Sequence, residues 1–249
     1  MSVTFERLPD VESLPIRHSW RWFVEGVRIW RLHPLKLFLL CLTPMLAEAL
    51  LQLIPIAGVL LSKILPLLVS LGILSGLAES ERTGVLRWSC LFDIFRQRRW
   101  QSAALLAVLY GPLIFGVQQL VAWLAYGWPA IDMALLGHVS AHPELKTRCF
   151  ELLLILPGIP ASVLLGLAPM YWLFAGAAPW AAIRESVRTV LHRPWPFGLY
   201  TLIQLAVFTV ILSGSVAMLL ALPYLAWATA TSYAIWKDIR GALSVVPVA

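Results

Sequence analysis

Long apolar runs, each close to the length that crosses a bilayer, dominate this sequence. A transmembrane helix needs about 20 mostly apolar residues, and six stretches approach that length. They are Leu35–Leu53, Gly58–Ala78, Gln101–Tyr126, Phe150–Ala175, Phe197–Leu212 and Ser215–Trp236. Short proline- or glycine-containing segments separate the first from the second and the fifth from the sixth, as in tight hairpin turns. The pattern predicts an all-α polytopic membrane bundle of six transmembrane helices in three hairpins; residues 197–236 could instead form one long bent helix.

Three other segments show the 3.6-residue periodicity of amphipathic helices, and each precedes a hairpin. Their predicted apolar stripes are Trp20, Phe23, Val24 and Val27; Trp88, Leu91, Phe92 and Phe95; and Trp180, Ile183, Val187, Val190 and Leu191. Charged residues lie opposite each stripe, which predicts three cytoplasmic amphipathic helices in the membrane interface. The arrangement indicates three parallel repeats. The alternative is that any basic loop between spans has this character.

The proposed division of the chain follows from this pattern. A polar N-terminal segment at residues 1–18 precedes a single membrane domain at residues 19–240, and a tail follows at residues 241–249. The three repeats would cover residues 19–78, 87–175 and 180–236. The N-terminal segment has no apolar core typical of a signal peptide, so the first span is expected to serve as the targeting signal.

Composition and charge support this class. The chain is 60% hydrophobic and 13% charged, whereas soluble domains are usually about half apolar and about 25% charged. Sixteen Lys and Arg residues fall in the N-terminal segment, two of the connections and the tail, and two fall in the segments on the opposite side. This asymmetry places both termini in the cytoplasm. The basic residues orient a membrane protein, so no nucleic acid partner is expected.

Two ionisable residues lie inside the predicted spans. Glu48 and Lys63 fall at one depth in the first hairpin, close enough to pair, and Gln52, Gln118 and Gln119 are expected at similar or slightly greater depth. Intramembrane charges are costly and usually paired or functional. The cluster is therefore either a structural pair that fixes the hairpin register or a substrate or proton site.

The polar faces of the amphipathic helices are the second candidate site. Their basic side chains could contact anionic lipid headgroups or could simply anchor the bundle. The residues are Arg21, Arg28, Arg96, Arg99, Arg184 and Arg188.

No catalytic motif is present. The sequence has no H-E-x-x-H, G-x-S-x-G or P-loop pattern, which would mark hydrolytic or nucleotide-binding sites. His138 and His142 have i, i+4 spacing in a loop, but two ligands make an incomplete metal site. We therefore predict a protein that is not an enzyme and that has no cofactor.

Three features resemble a bacterial family of six-helix inner-membrane proteins. They are the proline-rich fourth span, the segment AAIRESVRTVLHRPWPFGLY (Ala181–Tyr200) and the final SYAIWKDI (Ser232–Ile239). That family is distantly similar to the membrane domain of some glycerophosphodiester phosphodiesterases. The resemblance implies a multi-pass protein of the bacterial inner (cytoplasmic) membrane. It does not imply the enzyme activity, because the sequence contains no phosphodiesterase domain.

Two functions fit these observations. The first is a non-enzymatic structural, assembly or accessory factor that contacts membrane lipids and another membrane protein or a second copy of itself. The alternative is a small transporter or lipid-handling protein that uses the polar residues around Glu48 and Lys63.

Overall fold

The computed structural model describes residues 16–54, 56–96, 99–136, 141–214 and 220–241. Over these ranges the chain is helical and contains no β-strand. Five helical stretches are long and apolar enough to cross a membrane: Pro34–Leu51, Ala57–Thr83, Trp100–Tyr126, Arg148–Phe174 and Pro194–Ser213. The prediction of an all-α membrane bundle is confirmed at this level.

Twelve α-helices are numbered here along the described ranges. They are α1 (Arg17–Leu32), α2 (Pro34–Leu51), α3 (Ala57–Thr83), α4 (Cys90–Arg96), α5 (Trp100–Tyr126), α6 (Trp128–Ile131), α7 (Arg148–Ile155), α8 (Gly158–Leu165), α9 (Ala168–Phe174), α10 (Pro179–His192), α11 (Pro194–Ser213) and α12 (Ala221–Ile239). A π-helical turn at Asp132–Leu136 and a 3₁₀ turn at Pro143–Leu145 complete the connection between α6 and α7.

The segment between Phe197 and Trp236 forms two helices, not one bent helix. Helix α11 ends at Ser213, Gly214 is extended, and α12 begins at Ala221. Helix α12 falls outside the five apolar stretches because Thr, Ser, Lys and Asp residues interrupt its sequence. The first residues of the predicted sixth span, 215–219, lie outside the described residues.

Prolines break the predicted fourth span into three short helices, α7, α8 and α9. Pro157 lies at the α7–α8 break, and Pro169 lies in the first turn of α9. Proline lacks the amide hydrogen that an interior helical position must donate, but it is tolerated in a first turn. Pro157 and Pro169 thus lie at the breaks of this segment, whereas Pro44, Pro66 and Pro112 lie inside the continuous helices α2, α3 and α5.

The long helices surround a common interior. Helix α2 packs on α3, α3 on α5, α5 on α7 and α8, these on α11, and α12 returns to α2. Helices α1, α4 and α10 each directly precede a long helix, α2, α5 and α11 respectively. We call the end of the bundle at which these long helices begin the amphipathic end; the opposite end, with the α2–α3 turn, is the hairpin end. Each amphipathic-end helix packs on the long helical segment of an adjacent hairpin: α1 on α12, α4 on α3, and α10 on α8 and α9.

The faces of these helices that pack on protein differ from the predicted apolar stripes. In α1 the buried residues are Ser19, Trp22, Phe23, Gly26 and Ile29. In α10 they are Ala182, Ile183, Ser186, Thr189 and Val190. In α4 they are Cys90 and Ile94.

Most of the predicted stripe residues point away from the protein. Trp20, Trp88 and Trp180 are 68%, 50% and 67% exposed. Each helix therefore has three faces: one packed on protein, one exposed and apolar, and one charged. The stripe prediction did not include the face that packs on protein, because sequence periodicity does not distinguish an apolar face that meets protein from one that meets lipid.

Helix α1 joins the first part of the chain to the last. Trp22 Nε1 donates to Asp238 Oδ2 at 2.7 Å, and His18 Nδ1 lies 2.7 Å from the same oxygen. Ser19 Oγ donates to the Pro196 carbonyl at 2.6 Å. Helix α1 thus bridges α11 and α12, which approach each other closely at few points among the described residues.

We call the contact of α1 with α11 and α12 the seam. Gly26 is a point of close approach within it, and this residue gives the first prediction. A Cβ atom at this position would collide with the side chain and backbone of Thr231. We expect Gly26→Ala to destabilise the protein by about 1–3 kcal/mol, as overpacking usually does, and to lower its melting temperature in detergent. Gly116→Ala is the matched control, because a Cβ atom there meets nothing within 4 Å. Equal melting temperatures for the two variants would contradict the tight seam.

Candidate functional site

A cavity of about 530 Å³ lies inside the bundle. Residues of α2, α3, α5, α7, α8, α9, α11 and α12 line it, and its wall is mostly apolar. The volume falls within the range of about 300–1,000 Å³ that is typical of small-molecule sites. The cavity is therefore the candidate binding site of this protein.

The Glu48–Lys63 pair lies at the hairpin end of the cavity. Lys63 Nζ is 2.5 Å from Glu48 Oε1, so the contact expected from the sequence is present. Gln52 Nε2 donates to the same oxygen at 3.1 Å. The Lys63 and Glu48 side chains are 22% and 32% exposed, so the pair forms a rim rather than a sealed core.

Close packing of α5 on α3 fixes Lys63 in this position. Gly111 lies so close to the Lys63 carbonyl that no side chain would fit between the helices. Phe115 lies about one helical turn after Gly111, and the centroid of its ring is 5.5 Å from Lys63 Nζ. An aromatic face stabilises a cation at this distance. The ammonium is thus held between a carboxylate and a ring.

The two predicted glutamines of α5 have different surroundings. Gln118 lines the cavity and donates to the Ile155 carbonyl at 3.3 Å, near the break between α7 and α8. It therefore satisfies a backbone group that the broken helix exposes and does not bridge the charged pair. Gln119 is not among the lining residues, and its amide atoms are buried without a partner in the described part of the chain.

Deeper in the cavity lies a polar belt that the sequence analysis missed. It comprises Tyr110, Tyr200, Gln204 and Ser232, and Tyr224 lines the cavity nearer the hairpin end, in the first turn of α12. Tyr200 interacts with the side chains of Gln204 and Ser232. Tyr224 is 8% exposed, and its hydroxyl has no partner among the described residues. The signal that could have found the belt is the i, i+4 spacing of Tyr200 and Gln204, which places both on one face of an otherwise apolar helix.

The amphipathic end of the cavity is closed. Glu81 of α3 accepts from Tyr233 at 2.9 Å and pairs with Lys237 at 2.6 Å, which links α3 to α12. Glu25 of α1 lies 3.8 Å from Lys237. Below this network Trp22 packs on Phe197, with ring centroids 5.0 Å apart. Charged and aromatic layers therefore separate the cavity from this end.

The six predicted lipid-contacting arginines are not equivalent. Arg28, Arg96, Arg99, Arg184 and Arg188 are exposed. Arg99 also donates to the Gly176 carbonyl at 3.2 Å and lies 5.1 Å from the Trp172 ring, so it links α5 to α9. Arg21 is half-buried. Five of the six side chains are therefore exposed, and four of these five are not engaged in the link between α5 and α9.

The predicted histidine pair is only partly described. His142 Nε2 lies 2.9 Å from Asp132 Oδ2 and its Nδ1 lies 3.4 Å from Glu144. His138 lies outside the described residues. The described contacts tie the connection between α6 and α7 together.

Comparison with models of known protein families, with curated proteins and with solved structures gives no significant match. Function is therefore argued from the site itself.

The charged pair gives the second prediction. Removing one partner leaves a lone charge in a poorly solvated place, whereas removing both does not. Glu48→Gln and Lys63→Met should each lower the melting temperature in detergent more than the double substitution does, with a coupling energy on the order of 1 kcal/mol. A double-mutant cycle on the three variants measures this coupling. Strictly additive effects would show that the two charges do not stabilise each other.

Proposed function

We propose that this chain is an integral membrane protein that binds an amphiphilic molecule inside its helix bundle, so that it handles lipid rather than serving only as scaffold. The observation that carries the proposal is the central cavity, with an apolar wall and a charged pair at one end. An apolar wall with charges at one end is complementary to a ligand that has an apolar body and a polar head. Ligand sites commonly combine apolar walls with a few placed polar groups.

The unpartnered hydroxyl of Tyr224 supports the same conclusion. A buried polar group without a hydrogen bond costs about 1–3 kcal/mol, and this one faces the cavity. A bound molecule that carries an ester, hydroxyl or amide group would satisfy it. The sparse contact between α11 and α12 supports a path for such a molecule from the bilayer.

The structural or accessory role remains the competing function. It requires an interior that contributes nothing beyond packing. The cavity has a volume of about 530 Å³, and a hydroxyl without a described partner lies in its wall. Both features fit that role poorly, because protein interiors normally pack to the density of organic crystals.

Filling the cavity gives the third prediction. Ala228 of α12 lines the cavity, so Ala228→Trp should occupy the space that a ligand needs. We expect this variant, after purification in mild detergent, to retain several-fold less co-purified lipid by native mass spectrometry than the wild type. Ala125→Trp is the control, because Ala125 is exposed near the end of α5. Equal lipid retention in the two variants, with both folded, would contradict the proposal.

We also propose that α12 is a sixth span and that the chain consists of three repeats. Tyr224 near the start of α12 packs on Phe208 near the end of α11, while Lys237 near its end reaches Glu81. These contacts support an α12 that runs the length of the bundle, antiparallel to α11. Its polar residues face neighbours: Thr231, for example, packs on α1.

The first and third units support the repeat most strongly. His33 and Arg193 separate their two helices with nearly the same backbone angles, φ −144° and ψ 60° against φ −128° and ψ 58°. Both precede a proline, which disfavours helical geometry in the residue before it. The burial of residues 20–40 also follows that of residues 180–200 almost position by position.

Orientation gives the fourth prediction. The proposed topology places the amphipathic end, with its exposed arginines against anionic headgroups, in the cytoplasm and Cys149 on the opposite side of the inner membrane. Cys149 is exposed, whereas Cys41 and Cys90 are buried. Burial, with a smaller contribution from Asp93, raises the pKa of Cys90 to about 11, which suppresses its reactive thiolate.

A membrane-impermeant maleimide applied to cells with a permeabilised outer membrane should therefore label the wild type once, at Cys149. The Cys149→Ser variant should remain unlabelled until the protein is denatured. Labelling of Cys149 only after the inner membrane is opened would reverse the proposed orientation.

A further inference from the structure

We infer that the amphiphile in the cavity carries a zwitterionic headgroup of the phosphoethanolamine type, with its phosphate on Lys63 and its primary ammonium on Glu48. This inference rests on the proposed function and adds the chemical class of the ligand.

The charges that line the cavity carry the argument. Of the described residues that line it, only Glu48 and Lys63 are charged, and they have opposite signs. Their nitrogen and oxygen atoms lie 2.5 Å apart, so the rim has no net charge. An anionic headgroup would be attracted by Lys63 and repelled by Glu48, and a cationic headgroup the reverse. A headgroup with both charges, a few bonds apart, is complementary to both.

Each member of the pair also has capacity for one more contact. Oε1 of Glu48 accepts from both Lys63 and Gln52, which leaves Oε2 without a partner among the described residues. The Lys63 ammonium has three donor hydrogens, and one of them is directed to Glu48. Oε2 can therefore accept from an ammonium while Lys63 donates to a phosphate oxygen.

The same surroundings select a primary ammonium over a quaternary one. Quaternary ammonium groups are usually recognised by cages of several aromatic rings. Phe115 is the ring that lies against Lys63 at this rim, and one ring does not make a cage. The carboxylate Oε2 needs a hydrogen-bond donor, which a primary ammonium has and a trimethylammonium lacks.

The apolar part of the ligand would lie deeper. Helix α3 begins at the hairpin end, and Lys63 lies six residues, or about 9 Å, from that start. Helix α11 begins at the amphipathic end, and Gln204 lies ten residues, or about 15 Å, from that start. A chain that begins at the rim would therefore pass Tyr224 toward the polar belt. The glycerol hydroxyl or ester of the ligand would be near enough to the rim to reach the Tyr224 hydroxyl.

The experiment compares three probes on the purified full-length chain in a non-ionic detergent. The probes share one palmitoyl chain and differ in headgroup: lysophosphatidylethanolamine, lysophosphatidylcholine and lysophosphatidylglycerol. Binding is measured by native mass spectrometry. We expect lysophosphatidylethanolamine to bind the wild type about 10-fold more tightly than either other probe, because it alone completes both charge-assisted hydrogen bonds.

Two substitutions then test the two charges separately. Glu48→Gln should weaken lysophosphatidylethanolamine binding about 10-fold and make lysophosphatidylglycerol the preferred probe, since Lys63 is then unopposed. Lys63→Met should weaken all three probes. Glu48→Asp and Lys63→Arg keep the charges and should keep the wild-type order. Melting temperatures of all variants show whether each is folded.

The outcomes separate this inference from the function on which it rests. Equal binding of all three probes, or a wild-type preference for lysophosphatidylglycerol or lysophosphatidylcholine, would overturn the headgroup assignment and leave the lipid-handling role standing. Failure of the wild type to bind any of the probes would overturn both. The wild-type order alone decides the headgroup even if a substituted protein does not fold.

Discussion

The packing of α1 against α11 and α12 holds the two ends of the chain together and joins the last two helices of the bundle. Helices α11 and α12 make few close contacts with each other among the described residues, so α1 holds them together at the amphipathic end. The seam combines a close approach at Gly26 with a carboxylate, Asp238, that accepts from Trp22 and lies against His18. A poorly exposed carboxylate requires such partners. The seam is therefore specific as well as tight.

Polar groups have unequal surroundings at the two ends of the bundle. At the amphipathic end, Lys237 pairs with Glu81 and lies 3.8 Å from Glu25. At the hairpin end, Glu48 and Lys63 are partly exposed, and the Tyr224 hydroxyl has no partner among the described residues. Polar groups in a bilayer are normally satisfied within the protein. Trp30 Nε1 and Arg193 Nε are also buried without a described partner, but neither residue lines the cavity, so within its lining the unsatisfied hydroxyl lies at the hairpin end.

The sequence predicted those features that depend on composition along one segment. Apolar length indicated the helices, and two charges in apolar runs indicated the Glu48–Lys63 contact. Features that depend on which segments meet were not predictable. The protein-facing side of α1 includes Ser19 and Gly26, which have no hydrophobic signal. They are buried because they permit close approach. Tyr200 and Gln204 were missed because tyrosine is common in membrane helices and one glutamine is a weak signal.

The proposed repeat gives a physical account of how one site arose in a bundle of similar units. Under the 160-residue offset that relates His33 to Arg193, Glu48 corresponds to Phe208, and Lys63 falls next to Tyr224. The first hairpin holds an ion pair at this level, and the third holds two aromatic rings 5.4 Å apart. Equivalent positions of the first and third units thus supply a charged rim and an apolar wall that ends in a hydroxyl. An amphiphile needs both features. A bundle of identical units would repeat one of them and could not combine the two.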